Sequence, residues 1–356
     1  MTDGSLSTRA TELFGTRLPI VQTGMGWVSG AALTAATSSA GGLGILASAT
    51  MTLAELDEAI TKVASRTDHP FGVNLLPNAP DAAERISMII DRKVPVASFA
   101  AAPRPEQVQR LRDAGVTTIV TVGAKRHAEK VAGIGVSAVI AQGGEGGGHT
   151  GTIPTSILLP QVVDAVAGTD VVVLGAGGFH DGRGLAAALT IGADGVAMGT
   201  RFLLTAESQV PDSVKQIYLA TPPTGTVVTT AIDGAPQRVI RTDMIDQLES
   251  ATLSRFPRAA LNALRFRSQT GTSLVDLIRT GLSMKQDQDL TWAQVALAAN
   301  APMMTKAAMV DGRPEVGILP TGQVVGSIED LPTVAELLEQ MEHDALATLG
   351  RNGGLR

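Results

Sequence analysis

The sequence predicts an α/β fold: a (β/α)8 barrel carrying an inserted, mostly helical cap. Three observations carry that prediction. Eight short apolar runs fall within roughly the first two hundred residues, separated by segments of helical length. Such alternation implies parallel strands joined by helical crossovers. The runs are apolar throughout, as expected of strands covered on both faces. The rhythm then stops after Thr200, and a long amphipathic segment closes the chain. An open doubly wound sheet is the competing arrangement. Eight regular units without a visible reversal of strand order favour closure into a TIM barrel.

The elements follow in order. Pro19-Ile20-Val21-Gln22 is a short β-type run, and an Ala-rich helical stretch occupies about 29–39 until Gly41-Gly42 stops it. Leu43-Gly44-Ile45-Leu46 is the second strand. Thr52 opens the next helix, with Glu55 three positions on in a capping-box pattern. The third to eighth strands are expected at 71–76, 95–99, 117–122, 137–142, 171–174 and 195–198. The segments 105–114 and 182–191 are of helical length, and 201–208 is expected to begin the eighth helix. Between Pro211 and about Pro314 the alternation is lost; this stretch holds Tyr218, Pro222-Pro223 and Trp292 and reads as the cap. Within 330–349, Val334, Leu337, Leu338 and Met341 recur at helical spacing, so this helix could return to close the barrel. The expected division is a barrel over 1–210, a cap over 211–315 and a returning segment over 316–356.

Composition removes several function classes. The chain has 356 residues, 44% of them hydrophobic but only 3% aromatic, so its core must be aliphatic. The formal charge is −6 with no long basic run, which argues against nucleic acid or a membrane surface as partner. No cysteine is present, which excludes disulfides, thiolate nucleophiles and cysteine-ligated clusters. The five histidines are scattered without metal-ligand pairing, so no metal is expected. The N-terminal segment lacks an apolar signal core and no run reaches membrane-spanning length, which predicts a soluble, cytoplasmic protein. The oligomeric state is open, and a homo-oligomer is compatible with the sequence.

The chemistry concentrates after the sixth strand, in Ala141-Gln142-Gly143-Gly144-Glu145-Gly146-Gly147-Gly148-His149-Thr150-Gly151. Five glycines crowd around Glu145 ahead of one histidine. Each glycine loses more freedom on folding than any other residue, so five suggest a backbone that bends sharply and lies against something planar or anionic. His149 is the side chain there that can trade protons near neutral pH. The pattern suits a flavin site with His149 as acid or base; a flexible surface loop is the plainer reading. In a TIM barrel the loops after strands seven and eight often hold phosphate. Here these are Gly175-Ala176-Gly177-Gly178 and Gly199-Thr200, which can present backbone N–H groups. A dinucleotide fingerprint at Gly175 and Gly177 is rejected, because Asp194 precedes the next strand instead of ending it.

The string Gln142 to Gly151 resembles the Gln-Gly-x-Glu-Ala-Gly-Gly-His-x-Gly signature of the nitronate monooxygenase family, formerly 2-nitropropane dioxygenases. Ala176-Gly177-Gly178-Phe179-x-Asp181-Gly182-Arg183-Gly184, Met198-Gly199-Thr200-Arg201-Phe202-Leu203, Phe71-Gly72-Val73-Asn74 and Gly322-Gln323-Val324-Val325-Gly326 resemble its other blocks. The resemblance implies non-covalent FMN. It places the phosphate on Gly177, Gly178, Gly199 and Thr200, and the ring and ribityl chain along Thr23, Gly24, Met25, Asn74 and Gln142. Gly147 and Gly148 would let the backbone approach the flavin, and His149 would be the catalytic residue. Gln22-Thr23-Gly24-Met25-Gly26-Trp27 and Gly146 depart from the usual pattern. They look most like an actinobacterial subgroup linked to late steroid-ring breakdown, thought to oxidise or reduce a ring carbon–carbon bond in a bicyclic acyl-CoA. NAD(P)H is then a candidate electron partner. Oxidation of a nitronate with oxygen is the alternative activity, and a flavin-free phosphate-binding barrel is a third reading.

A basic cluster is compatible with the phosphates of a CoA ester or of a nicotinamide nucleotide, a solvated helix face being the plainer reading. Arg255, Arg258, Arg265, Arg267, Arg279 and Lys285 stand against Asp276 alone, and could receive phosphates. Trp27 and the first four of those arginines are the candidate substrate contacts. Glu145 has no assignable role from sequence.

Overall fold

The computed structural model describes residues 6–253 and 292–353. Eight parallel strands close into a barrel: β1 (Ile20–Gln22), β2 (Leu43–Ala47), β3 (Phe71–Leu75), β4 (Val96–Phe99), β5 (Thr117–Val122), β6 (Ala138–Gln142), β8 (Val172–Ala176) and β9 (Gly195–Met198). Closure is direct, with Ile20 of β1 paired to Val196 of β9. All eight expected strands form, each within two residues of its expected bounds. A two-residue strand, β7 (Gly148–His149), lies outside the barrel.

Alternation along the strands divides the barrel's apolar residues between its interior and its outer layer. Val21, Leu43, Ile45, Val96, Ile119, Ile140, Val172 and Leu174 fill the barrel interior, each at most 2% exposed. Ala10 and Phe14 join this interior cluster from α1 (Arg9–Phe14), a helix in the stretch that reads only as a polar N-terminus. The opposite strand faces, including Leu46, Val73, Val120, Val139 and Val173, pack with apolar residues of the surrounding helices. Those helices are α2 (Ala31–Ser39), α3 (Leu53–Ala64), α4 (Ala82–Asp91), α5 (Pro105–Asp113), α6 (Lys125–Ala132), α7 (Thr155–Ala165) and α8 (Gly182–Ile191). The capping box of α3 is formed: Glu55 N donates to Thr52 Oγ1 at 3.2 Å, and Thr52 N donates to Glu55 Oε2 at 2.7 Å.

The eighth helix differs from expectation. After β9 only one turn forms, α9 (Thr200–Leu203), and the chain leaves the ring. The vacant place is taken by the last helix of the chain, numbered α13 here (Val334–Gly353), which packs against α8 and α2. Its contact with α8 is close enough that a Cβ on Gly182 would stand 2.4 Å from Met341 O and 2.6 Å from Ala345 N. Glycine is required there for the helix axes to approach. The ring is thus completed by a segment more than a hundred residues beyond the strand that a local connection would follow.

Between α9 and α13 come α10 (Asp212–Leu219), the hairpin β10 (Thr226–Thr229) and β11 (Gln237–Ile240), α11 (Asp243–Leu253) and α12 (Trp292–Met309). The hairpin is absent from the sequence reading, which has this region mostly helical. It pairs antiparallel with β7 to form a separate three-stranded sheet. Ile232, Val239, Ile245, Ala301, Met304 and Ile318 form a small second core behind it. Among the described residues, no helix is long and apolar enough to cross a membrane.

Candidate active site

The glycine-rich loop joins β6 to α7 at the C-terminal ends of the barrel strands. Two of its glycines, Gly143 and Gly147, are required by packing against backbone, and Gly146 lies close against the Gln142 side chain. A Cβ on Gly143 would stand 2.1 Å from Thr155 Oγ1, one on Gly146 2.7 Å from Gln142 Nε2, and one on Gly147 2.4 Å from Thr321 C. Gly148 is different: its φ is +65°, and nothing lies within 4 Å of where its side chain would be. On its Cβ side Gly147 is closely approached by residues 321–322.

Glu145 occupies the centre of the loop and acquires a role. Its Oε2 accepts from Thr155 N at 2.8 Å and lies 2.7 Å from Thr155 Oγ1. Pro154, at the cap position of α7, has no side-chain oxygen to offer, so a carboxylate from the loop serves the first turn instead. The Glu145 carbonyl also accepts from Gln323 N at 2.9 Å. Arg238 of β11 braces the other side, donating to Gly144 O and Thr226 Oγ1, each at 2.9 Å. Burial pulls its pKa below the ordinary arginine value, against the opposing charge of Glu145.

His149 is fixed by its backbone and by one side-chain partner. It pairs in register with Gln237, Thr150 N donates to Pro236 O at 3.0 Å, and Gln142 Nε2 donates to His149 O at 2.8 Å. The imidazole is 66% exposed, and its Nε2 lies 2.8 Å from Oδ2 of Asp233, which is 13% exposed. Asp233 belongs to the hairpin loop and was not singled out from sequence. Asp-Gly reads there as an ordinary turn, and only the β-type run Thr226-Val227-Val228-Thr229 signals that a hairpin precedes it. Burial acts to raise the Asp233 carboxyl. It is outweighed by the hydrogen bond and charge of His149, the Ala235 N–H and the Gln237 amide, which hold the carboxyl below the usual aspartate value.

The remaining expected cofactor residues converge on the same end of the barrel. Thr23 N donates to Met198 O at 3.1 Å. A Cβ on Gly24 would stand 2.4 Å from Asn74 Cβ, and one on Gly199 3.2 Å from Met25 Sδ, so the β1 loop spans from β3 to β9. Thr200 Oγ1 accepts from Gly322 N at 2.8 Å. Gly177 and Gly178 follow β8 with φ of +92° and +83°. The Cβ position of Gly177 is crowded by Gly146 N at 3.0 Å, whereas that of Gly178 meets only Glu145 Cβ at 3.9 Å.

Trp27 departs from this side of the loop toward α12. Its Nε1 donates to Pro302 O at 2.9 Å, and Lys306 Nζ lies 5.8 Å from its ring centroid. Its φ of +65° is unusual for a bulky residue. Arg255, Arg258, Arg265 and Arg267, with Arg279 and Lys285, lie outside the described residues.

A family model described as nitronate monooxygenase matches residues 7–87 and 81–344. The chain is 55% identical over 345 residues, 97% of each chain, to the (3aS,4S,5R,7aS)-5-hydroxy-7a-methyl-1-oxo-octahydro-1H-indene-4-carboxyl-CoA dehydrogenase of Mycobacterium tuberculosis. It is 53% identical over 353 residues, 99% of each chain, to the enzyme of the same description in Rhodococcus jostii. Among solved structures, FabK from Thermotoga maritima superposes with a TM-score of 0.78 at 31% identity, covering 98% of this chain and 99% of that one.

Proposed function

Because this chain belongs to the nitronate monooxygenase family and is an oxidoreductase, we propose that it is an FMN-dependent dehydrogenase. Its proposed reaction introduces a carbon–carbon double bond beside the thioester of a bicyclic acyl-CoA. The observation that carries this reading is the exposed His149 imidazole, held by Asp233 and placed directly after the open backbone of Gly148. The dehydrogenase activity on an indene-4-carboxyl-CoA named for the two relatives supports the substrate class and the oxidative direction.

The residues fit the cofactor. Gly148 and Gly178 both have positive φ, with nothing within 4 Å of the Gly148 Cβ position and only Glu145 Cβ at 3.9 Å from that of Gly178, which makes a cradle that any Cβ would fill. Gly177, Gly178, Gly199 and Thr200 would hold the phosphate. Thr23, Gly24, Met25, Asn74 and Gln142 would line the ribityl chain and ring. FMN, when bound, supplies the two-electron acceptor that desaturation of a carbon–carbon bond requires.

The chain's own contribution is proton transfer and placement. The thioester carbonyl acidifies its α-carbon, and His149 removes the α-proton as the hydride equivalent leaves the β-carbon. The substrate loses two electrons and two hydrogens, and the α,β double bond forms. The region 211–315 acts as a cap on the substrate side, with Trp27 part of the wall. The arginines Arg255, Arg258, Arg265 and Arg267 are the proposed contacts for CoA phosphates. Reoxidation passes electrons to a partner outside the site; NAD(P)H would serve the reverse, reductive direction.

Anaerobic visible spectroscopy of the FMN-loaded protein tests the reading. Addition of the bicyclic acyl-CoA should bleach the flavin band. A flavin that stays oxidised with the acyl-CoA, together with oxygen consumption driven by propionate 3-nitronate, would overturn it in favour of nitronate oxidation.

A further inference from the structure

We infer that Asp233 is the positioning residue of the site: it fixes the His149 imidazole as the Nε2–H tautomer, so that Nδ1 is the nitrogen that exchanges the substrate proton. This rests on the proton-transfer role proposed for His149. It adds which atom performs it and which part of the fold controls it.

The argument is one of hydrogen-bond capacity. A carboxylate is an acceptor only. Oδ1 of Asp233 accepts from Ala235 N at 3.1 Å. Oδ2 faces His149 Nε2 at 2.8 Å and also accepts from the Gln237 side-chain amide, whose nitrogen lies at the longer distance of 3.3 Å from Nε2, so the shorter carboxylate contact decides the proton's place. Both oxygens are thus oriented by groups of the hairpin itself, and the carboxylate is kept ionised there. An ionised acceptor at 2.8 Å requires a proton on Nε2. In the neutral ring the other nitrogen then carries the lone pair. Nδ1 has no hydrogen bond among the described residues, and the ring is largely exposed, so this nitrogen is free to exchange a proton.

The backbone supplies the precision. His149 lies opposite Gln237 in the β7–β11 register, so the histidine and the amide that steadies Asp233 sit on paired residues. Gly234, with φ of +89°, donates its N–H to Thr230 O at 2.9 Å and turns the loop back immediately after Asp233. The base therefore comes from the barrel and its orienting acid from the insertion.

The tautomer is read directly by NMR of FMN-loaded protein labelled with 15N-histidine. Wild type should show a slowly exchanging, downfield imidazole N–H that correlates with Nε2, disappears in His149→Ala and is lost to solvent exchange in Asp233→Asn. Under turnover, Asp233→Asn should lower kcat about 100-fold with KM within a factor of about three, and Asp233→Glu should recover part of the loss. A proton on Nδ1 in wild type, or an Nε2–H signal unchanged in Asp233→Asn, would overturn the inference. So would an Asp233→Asn variant that keeps wild-type kcat. The resonance is independent of substrate, so an acyl-CoA that fails to bleach the flavin removes the proposed function while leaving the positioning result to be judged by NMR.

Discussion

Adjacent glycines in the histidine loop should respond to alanine in opposite ways. At Gly147 the added methyl would stand 2.4 Å from Thr321 C, 2.5 Å from Gly322 N and 2.9 Å from Thr321 O. All three are main-chain atoms, so no rotamer change relieves the overlap. Overpacking of this kind costs about 3 kcal/mol, the upper part of the usual range. At Gly148 the methyl meets nothing, and the cost is the left-handed backbone alone, about 1–2 kcal/mol. A chain of 356 residues has an unfolding entropy of about 0.75 kcal/mol/K at roughly 2.1 cal/mol/K per residue. The expected fall in Tm of the FMN-free protein is therefore about 4 °C for Gly147→Ala and about 2 °C for Gly148→Ala. Cofactor affinity should reverse that order. The space that Gly148→Ala fills is the space proposed for the flavin, so FMN should bind at least about tenfold more weakly, equivalent to 1.4 kcal/mol. Calorimetric melting and fluorescence titration with FMN measure the two effects separately. A Gly148→Ala protein that binds FMN as wild type does would refute the cradle. A Gly147→Ala protein melting within about 1 °C of wild type would refute the packing argument.

Three further substitutions test the surroundings. Glu145→Ala removes the acceptor from the first turn of α7 and should cost about 1–2 kcal/mol in chemical denaturation, with Glu145→Gln losing less because its carbonyl can still accept from Thr155 N. Asp330→Ala leaves the buried Arg201 guanidinium with only the Leu204 and Asp330 carbonyls. It should destabilise by about 2 kcal/mol, below the 3–5 kcal/mol of a fully buried pair because Asp330 is itself largely exposed. Acid should be felt at Asp181. Burial opposes its ionisation but is outweighed by the Gly184 N–H and the charges of Arg183 and His180, which hold it below the ordinary value of 3.8. A depressed folded pKa contributes stability that is complete above the unfolded value, near pH 4, and lost as pH falls through the folded one. Asp181→Asn should therefore flatten the loss of stability between about pH 4 and pH 2, read as denaturation midpoint against pH, and an unchanged slope would contradict the assignment.

The barrel was legible because each strand is buried on both faces and so appears in sequence as a short apolar run between helical segments. The C-terminal helix was legible as one that returns to the barrel, but that it takes the eighth place in the ring was not. Val334, Leu337, Leu338 and Met341 announce an amphipathic helix, but nothing local says that its apolar face meets α8 and α2. That information lies in Gly182, whose missing side chain makes room for Met341 and Ala345. Within the site, His149 and the glycines stood out by composition, yet their causes differ from one another. Gly143, Gly146 and Gly147 answer to neighbouring protein atoms, whereas Gly148 and Gly178 are uncrowded, and sequence presents all five identically. Glu145 could not be read because its partner, Thr155, is ten residues away across the loop. Asp233 is separated from His149 by 84 residues, and neither its neighbours nor its spacing mark it.

That separation has a consequence for how the enzyme is built. The β7–β11 pairing, the Arg238 bond to Gly144 and the His149–Asp233 contact all cross from the barrel loop to the insertion. Beneath them, Tyr218 donates to Pro320 O at 3.0 Å, and Gly322 N reaches back to Thr200. The insertion is therefore tied to the glycine-rich loop directly and to the barrel through the returning segment. Ile232, next to Asp233, and Val239, two residues beyond Gln237, are both fully buried in the small second core with Ile245 and Met304. Packing in that core thus anchors the hairpin loop that carries the Asp233 carboxylate. Changes to the second core should accordingly act on turnover before they act on the barrel, because the eight strands and their own core close independently of it.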